Sequence, residues 1–256
     1  MSEESIVFVK QLDGSTAKIS YSAKMTVATL RGVIEQQTNI PQGCQRLVYR
    51  GQEIEESQGH LSLAQLNIVP KCSIYLINLF GSVFEEKVHF CIDVSLSMDN
   101  KFVIGNKLFS RLNCVKQELK RMISNFQEDK QINLYAFGSS VSLWSKTIKY
   151  CTKENKDSAI QWVDRLDPMG STALAEALET VISCDINAKT IYVLSDGSPN
   201  SEHKVMEWVA KNPNVMVHTT NFMGDTILAS FLQELSSKTG GTYRSFSPEQ
   251  LFNPQT

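Results

Sequence analysis

The stretch Lys87–Asn100, KVHFCIDVSLSMDN, constrains this chain most, because a short apolar run passes directly into oxygen side chains at every second position. Val88, Phe90 and Ile92 read as a buried strand, and Asp93, Ser95 and Ser97 continue the alternation. Alternate side chains of an extended segment point the same way, so a D-x-S-x-S tail can aim its oxygens at one point. Taken alone, the tail reads as a polar turn, since Asp and Ser readily hydrogen-bond their own backbone. Two later stretches move the reading toward a site for a hard cation.

The first, Pro168-Met169-Gly170-Ser171-Thr172, is a breaker-rich loop that runs into Ala173–Cys184, where Leu174, Ala177, Leu178, Val181 and Ile182 keep helical spacing. The spacing places Thr172 at a helix start. The second, Thr190 to Gly197, is an apolar strand that delivers Asp196 at its carboxyl end and turns on Gly197. Asp93 and Asp196 thus both leave strand ends, where open α/β sheets bind ligands. At these residues the chain resembles the von Willebrand factor A family with its metal-ion-dependent adhesion site. The D-x-S-x-S motif falls on Asp93, Ser95 and Ser97, the threonine of G-S-T on Thr172 and the aspartate of S-D-G on Asp196.

The chemistry of these residues agrees with the resemblance. Their carboxylates and hydroxyls offer only oxygen, which suits Mg²⁺ or Mn²⁺, leaves Ca²⁺ the poorer fit and argues against Zn²⁺. The resemblance further implies hydroxyls that touch the metal, aspartates that act largely through water, and one position open to an Asp or Glu carboxylate from a protein partner. It covers Lys87 to about Phe252 and implies a doubly wound, Rossmann-like domain over residues 87–256. The alternation of strands and helices in this part independently predicts a mainly parallel sheet flanked by helices. A long helix is expected over Leu108–Phe126. The resemblance implies that adhesive members couple ligand binding to a long last helix; here only Ser247–Phe252 follows the last strand before Asn253-Pro254, so a site of nearly fixed affinity is expected, without a large helix-driven switch.

The preceding segment, Ile6 to Ile77, reads as a small mixed sheet with one helix. Strands are predicted at Ile6–Lys10, Ala17–Tyr21, Arg46–Arg50 and Ser73–Ile77, with Asp13-Gly14 as a turn and a helix begun by Thr26 that ends near Asn39. Through Phe8-Val9-Lys10, Leu12, Gly14, Ile40-Pro41, Gln45-Arg46-Leu47, Gly51, Leu63 and Asn67-Ile68 it resembles ubiquitin, which implies a β-grasp domain over residues 1–78. The chain continues through Asn78-Leu79-Phe80-Gly81, so a built-in domain is expected and not a conjugating one. The resemblance places an apolar recognition patch on Leu12, Val48 and Ile77, beside Arg46 and Gly51. That face is either a free docking patch or covered by the second domain. The connection, residues 79–86, carries Leu79, Phe80, Val83 and Phe84, so the two domains are expected to pack as a semi-rigid unit.

Composition removes other classes. Lys and Arg number 25 against 27 Asp and Glu, with no basic cluster, so nucleic acid and anionic membrane are poor partners. No run reaches the roughly 17–25 apolar residues of a membrane span, and the acidic start lacks a signal-peptide pattern. The six cysteines form no C-x-x-C and read as free thiols. G-x-S-x-G, the P-loop and G-x-G-x-x-G are all absent. The sequence therefore predicts a non-enzymatic adaptor of the cytoplasm, with the nucleus as an alternative. Its second domain would capture an acidic protein ligand through a divalent metal, while the first docks on ubiquitin-receptor or proteasome-type machinery. The competing expectation is a scaffold or assembly subunit whose metal braces loops.

Overall fold

The computed structural model describes residues 5–11, 14–78, 85–104, 107–197, 199–222 and 229–246. The chain divides into two units, described residues 5–78 and 85–246. In the first, alternation of buried Val7 and Val9 with more exposed neighbours makes β1 (Ile6–Gln11) a one-faced strand. It pairs antiparallel with β2 (Thr16–Ser20) across a turn in which Gly14 takes a φ of 84°. Helix α1 (Val27–Thr38) starts where the Thr26 hydroxyl accepts the Thr29 N–H at 3.2 Å, and stops at Asn39, whose φ of 57° is left-handed. Three further strands, β3 (Arg46–Tyr49), β4 (Gln52–Ile54) and β5 (Ser73–Ile77), complete a sheet of order β2-β1-β5-β3-β4 with β1 and β5 parallel. Leu30 and Ile34 of α1 close over Val7, Leu47, Ile74 and Leu76, forming the core.

Of the expected recognition patch, Arg46, Val48, Gly51 and Ile77 are among the described residues. Val48 and Ile77 are 2% and 0% exposed and stand outside that core cluster. Arg46 pairs with Glu53 at 2.9 Å, and Gly51 sits at φ 74° in the tight β3–β4 turn. Leu12 lies outside the described residues, as do residues 79–84 of the expected apolar connection and the C-terminal segment 247–256.

In the second unit the central strands are buried almost end to end, as strands covered on both faces are, with His89, Asn133 and His218 as buried polar residues among apolar neighbours. Strand β6 (Lys87–Asp93) is followed by a hairpin of β7 (Lys101–Ile104) and β8 (Lys107–Ser110), then helix α2 (Arg111–Asn125). Next come β9 (Gln131–Phe137), β10 (Val141–Leu143), β11 (Lys149–Tyr150), α3 (Lys153–Asp164), α4 (Leu174–Cys184), β12 (Thr190–Ser195), α5 (Glu202–Lys211), β13 (Met216–Phe222), α6 (Ala229–Lys238) and β14 (Tyr243–Phe246). The sheet runs β10-β9-β6-β12-β13-β14; β9, β6, β12, β13 and β14 are mutually parallel, while β10 and β11 are antiparallel additions on β9. Cys91, Tyr135, Phe137 and Val193 face one core with residues of α4, α5 and α6. On the opposite face Phe90 stacks on Phe126 at the end of α2. All six cysteines are free.

The long helix expected from Leu108 is shorter. Lys107–Ser110 pairs as a strand with Lys101–Ile104, Phe102 stacks on Phe109, and Leu108 is 63% exposed. The Ser110 hydroxyl accepts the Asn113 N–H at 3.1 Å and starts α2 at Arg111. Leu108 fits the helical period by coincidence, and the serine cap decides the boundary.

Candidate metal centre

Parallel β6 and β12 are neighbours in register, with Ile92 opposite Leu194, so their carboxyl ends bring Asp93 and Asp196 to the same edge of the sheet. Beyond Asp93 the chain coils into a short 3₁₀ turn, Leu96–Asp99. The extended tail imagined for Asp93 to Ser97 is therefore replaced by a turn, yet the serines still meet. Ser95 Oγ lies 3.0 Å from Ser97 Oγ, and the Ser97 hydroxyl donates to Asp196 Oδ1 at 2.8 Å. Asp93 is tied to this chain of oxygens through the Ser95 backbone, accepting the Ser95 N–H on Oδ1 at 2.7 Å. Its other oxygen accepts the Ser195 hydroxyl at 2.5 Å.

Both carboxylates are almost wholly buried. Burial pushes the Asp93 carboxyl up to about 6, against the opposing donation from Ser195 and Ser95, with the neighbouring Asp196 adding to the rise. Asp196 has a different environment. Its Oδ2 accepts Arg111 Nη1 in an ion pair. Arg111 is the first residue of α2, where the helix dipole disfavours a cation by about 0.3–1 kcal/mol. A charge-assisted bond to a buried carboxylate, worth about 1.5–3 kcal/mol, exceeds that cost.

Thr172 approaches on a separate loop. Met169 N–H donates to Val94 O at 2.5 Å and Leu96 N–H to Gly170 O at 3.1 Å, so this loop is stitched to the one that carries the serines. Gly170 makes the approach feasible: its φ is +69°, and a Cβ there would lie 1.8 Å from Ser139 Oγ. Thr172 precedes α4 by two residues and is held by Asn200, whose Oδ1 accepts the Thr172 N–H at 2.9 Å. Among the described residues, no hydrogen bond joins the Thr172 hydroxyl to the Ser95, Ser97 and Asp196 oxygens.

The structure thus gathers Ser95, Ser97, Asp196 and, through backbone, Asp93, with Thr172 on an adjoining loop. Among the described residues no three His, Cys, Asp or Glu side chains form a metal-holding group, and the oxygens brought together here are those of Ser95, Ser97 and Asp196. That donor set fits a hard ion and not a soft one. Sequence reasoning missed Arg111, Ser195 and Asn200. For Arg111 a signal existed, a basic residue immediately after a serine cap, but it was hidden by placing Arg111 inside a helix begun at Leu108.

Residues 88–245 match the family described as von Willebrand factor type A domain, and residues 7–77 match the ubiquitin family. The human von Willebrand factor A domain-containing protein 3A is 29% identical over 170 residues, which is 64% of this chain and 14% of that protein. Human inter-alpha-trypsin inhibitor heavy chain H3 is 23% identical over 224 residues, 82% of this chain and 24% of that protein. The chain therefore spans less than a quarter of the length of these relatives. Among solved structures, von Willebrand factor type A from Catenulispora acidiphila superposes with a TM-score of 0.55 at 17% identity, over 66% of this chain and 40% of that one. At such identity the likeness concerns the fold.

Proposed function

This chain belongs to the von Willebrand factor type A family, and from that membership we propose that its second unit binds a protein ligand that presents an Asp or Glu side chain to a divalent metal. The observation that carries the reading is the run of oxygens Ser95, Ser97 and Asp196, joined at 3.0 and 2.8 Å at the carboxyl edge of the sheet. The hydroxyls of Ser95, Ser97 and Thr172 and the carboxylates of Asp93 and Asp196 would hold Mg²⁺ or Mn²⁺. Neutral hydroxyls leave such an ion short of negative charge, and a partner's carboxylate supplies it. In this reading the protein is a non-enzymatic adaptor that works inside the cell. Isothermal titration of Mg²⁺ tests it: heat is expected for the wild type and lost in Asp93→Ala and Asp196→Ala. Equal heat in wild type and Asp93→Ala overturns the site.

For the ubiquitin-family unit the expected partner is a ubiquitin receptor or proteasome-type machinery. The competing reading is a scaffold or assembly subunit that makes permanent contacts. Titration of the isotope-labelled chain with a ubiquitin-binding peptide tests the docking: resonance shifts at Arg46, Val48 and Ile77 are expected, and resonances that stay fixed at millimolar peptide overturn it.

A further inference from the structure

Resting on the metal reading above, we infer that Arg111 is an internal counter-cation that competes with the divalent metal for Asp196 and keeps the metal affinity of the site low. Each of the carboxylate oxygens of Asp93 and Asp196 already has a donor from the protein. Asp93 takes the Ser95 N–H and the Ser195 hydroxyl; Asp196 takes the Ser97 hydroxyl and the Arg111 guanidinium. Three of these donors are neutral, and only Arg111 brings charge. Its position is fixed twice, since the Arg111 N–H also donates to Asn100 O at 3.2 Å, at the end of the loop that carries Ser95 and Ser97. The side chain is 19% exposed, so the charge is only partly screened by solvent.

A cation at the first position of a helix runs against the dipole, and the charge-assisted bond to Asp196 outweighs that cost. The same arginine cancels one of the two negative charges that would draw a dication to Ser95, Ser97 and Asp196. A divalent ion entering the site meets a fixed positive charge and must share or take over Asp196 Oδ2. An ion that arrives together with a partner's carboxylate brings its own compensating charge and is penalised less. Arg111 thereby biases the site toward metal loading in the presence of an acidic ligand.

The test uses the full chain and Mg²⁺ alone. By titration calorimetry, Arg111→Gln is expected to bind Mg²⁺ at least about ten-fold more tightly than wild type, the order expected for removing one like charge a few ångströms from a dication even at bulk-water screening. Arg111→Lys, which keeps the charge, is expected to stay near wild type. In chelator, Arg111→Gln should melt below wild type, and Mg²⁺ should raise its melting temperature by more. A folded Arg111→Gln with wild-type or weaker Mg²⁺ affinity overturns the inference while leaving the metal site standing. If neither protein takes up Mg²⁺ at millimolar concentration, the metal reading fails and this inference with it. A measurement on the wild type needs no variant: the Arg111 Nε–H resonance should shift as Mg²⁺ fills the site, and a resonance that stays fixed at saturation also overturns the competition.

Discussion

The Ser195 hydroxyl donates to Asp93 Oδ2 at 2.5 Å, binding the end of β12 to the end of β6 within the buried edge of the sheet. Asp93 is thereby presented to Ser95 in one orientation. Removing the hydroxyl leaves a buried carboxylate oxygen without its donor. Ser195→Ala is expected to lower the unfolding free energy by about 1.5–3 kcal/mol, the range for hydrogen bonds to charged groups. Urea denaturation checks this, and a loss below about 0.5 kcal/mol would show that the bond does not hold the strand ends.

Gly170 and Gly240 both adopt left-handed φ, at +69° and +71°, but their surroundings differ. A Cβ on Gly240 meets nothing within 4 Å, whereas one on Gly170 strikes Ser139 Oγ at 1.8 Å. Gly240→Ala should therefore cost about 1 kcal/mol of backbone strain alone. Gly170→Ala should cost more and displace the loop that carries Thr172, so Mg²⁺ binding is expected to fall in Gly170→Ala and persist in Gly240→Ala. Parallel calorimetry and urea melts separate the two. Equal effects would mean that the contact with Ser139 is relieved without disturbing the loop.

The sequence made the two folds legible where periodicity and caps agreed. Thr26 begins α1 and Asn39 ends it as read, and the apolar runs of β6 and β12 have no competing helical pattern. Legibility failed where a residue satisfied a period by accident, as Leu108 did, and where strands were too short to show one, as with β4 and β11. At the site, Asp93, Ser95, Ser97 and Asp196 could be read because the motif is local to two strand ends. Ser195, Asn200 and Arg111 act through tertiary contacts with residues 102, 28 and 85 positions away, which no local spacing encodes.

Acid should affect stability through the two buried histidines. His89 lies 3.3 Å from the Tyr135 hydroxyl and 3.4 Å from Asp185, and His218 stacks on Tyr192 with Glu85 at 3.9 Å. Burial holds both imidazoles below the ordinary 6.5, against the pull of Asp185 and Glu85. As pH falls through about 6.5, the unfolded chain takes up these protons first, so stability is lost until the folded imidazoles protonate as well. Asp93 acts in the opposite sense. Its carboxyl, raised to about 6, is protonated in the folded chain before the unfolded one, and acidification relieves its burial. The histidine contribution must therefore be read as a difference. In chelator, His89→Gln is expected to gain stability relative to wild type as the pH falls from about 7.5 to about 5. Urea midpoints at both values check it, and a gap independent of pH would refute it.

The final prediction concerns the choice of metal. The proposed set has two carboxylates, Asp93 and Asp196, with the rest hydroxyls, and the donors shown in contact are Ser95, Ser97 and Asp196. Mg²⁺ accepts such a set because it retains several waters in an octahedron, whereas Ca²⁺ seeks about six to eight oxygens and usually more negative charge. At equal ion concentration, Mg²⁺ and Mn²⁺ should therefore stabilise the wild type more than Ca²⁺. Since stabilisation follows RT ln(1 + [L]/Kd), ion at ten times its Kd adds about 1.4 kcal/mol, while the weaker ion adds a fraction of that. Scanning calorimetry of chelator-treated protein, with each ion added in turn, measures the order directly. An equal or larger rise with Ca²⁺ would mean that carboxylates beyond Asp93 and Asp196 take part, and the donor set would have to be redrawn.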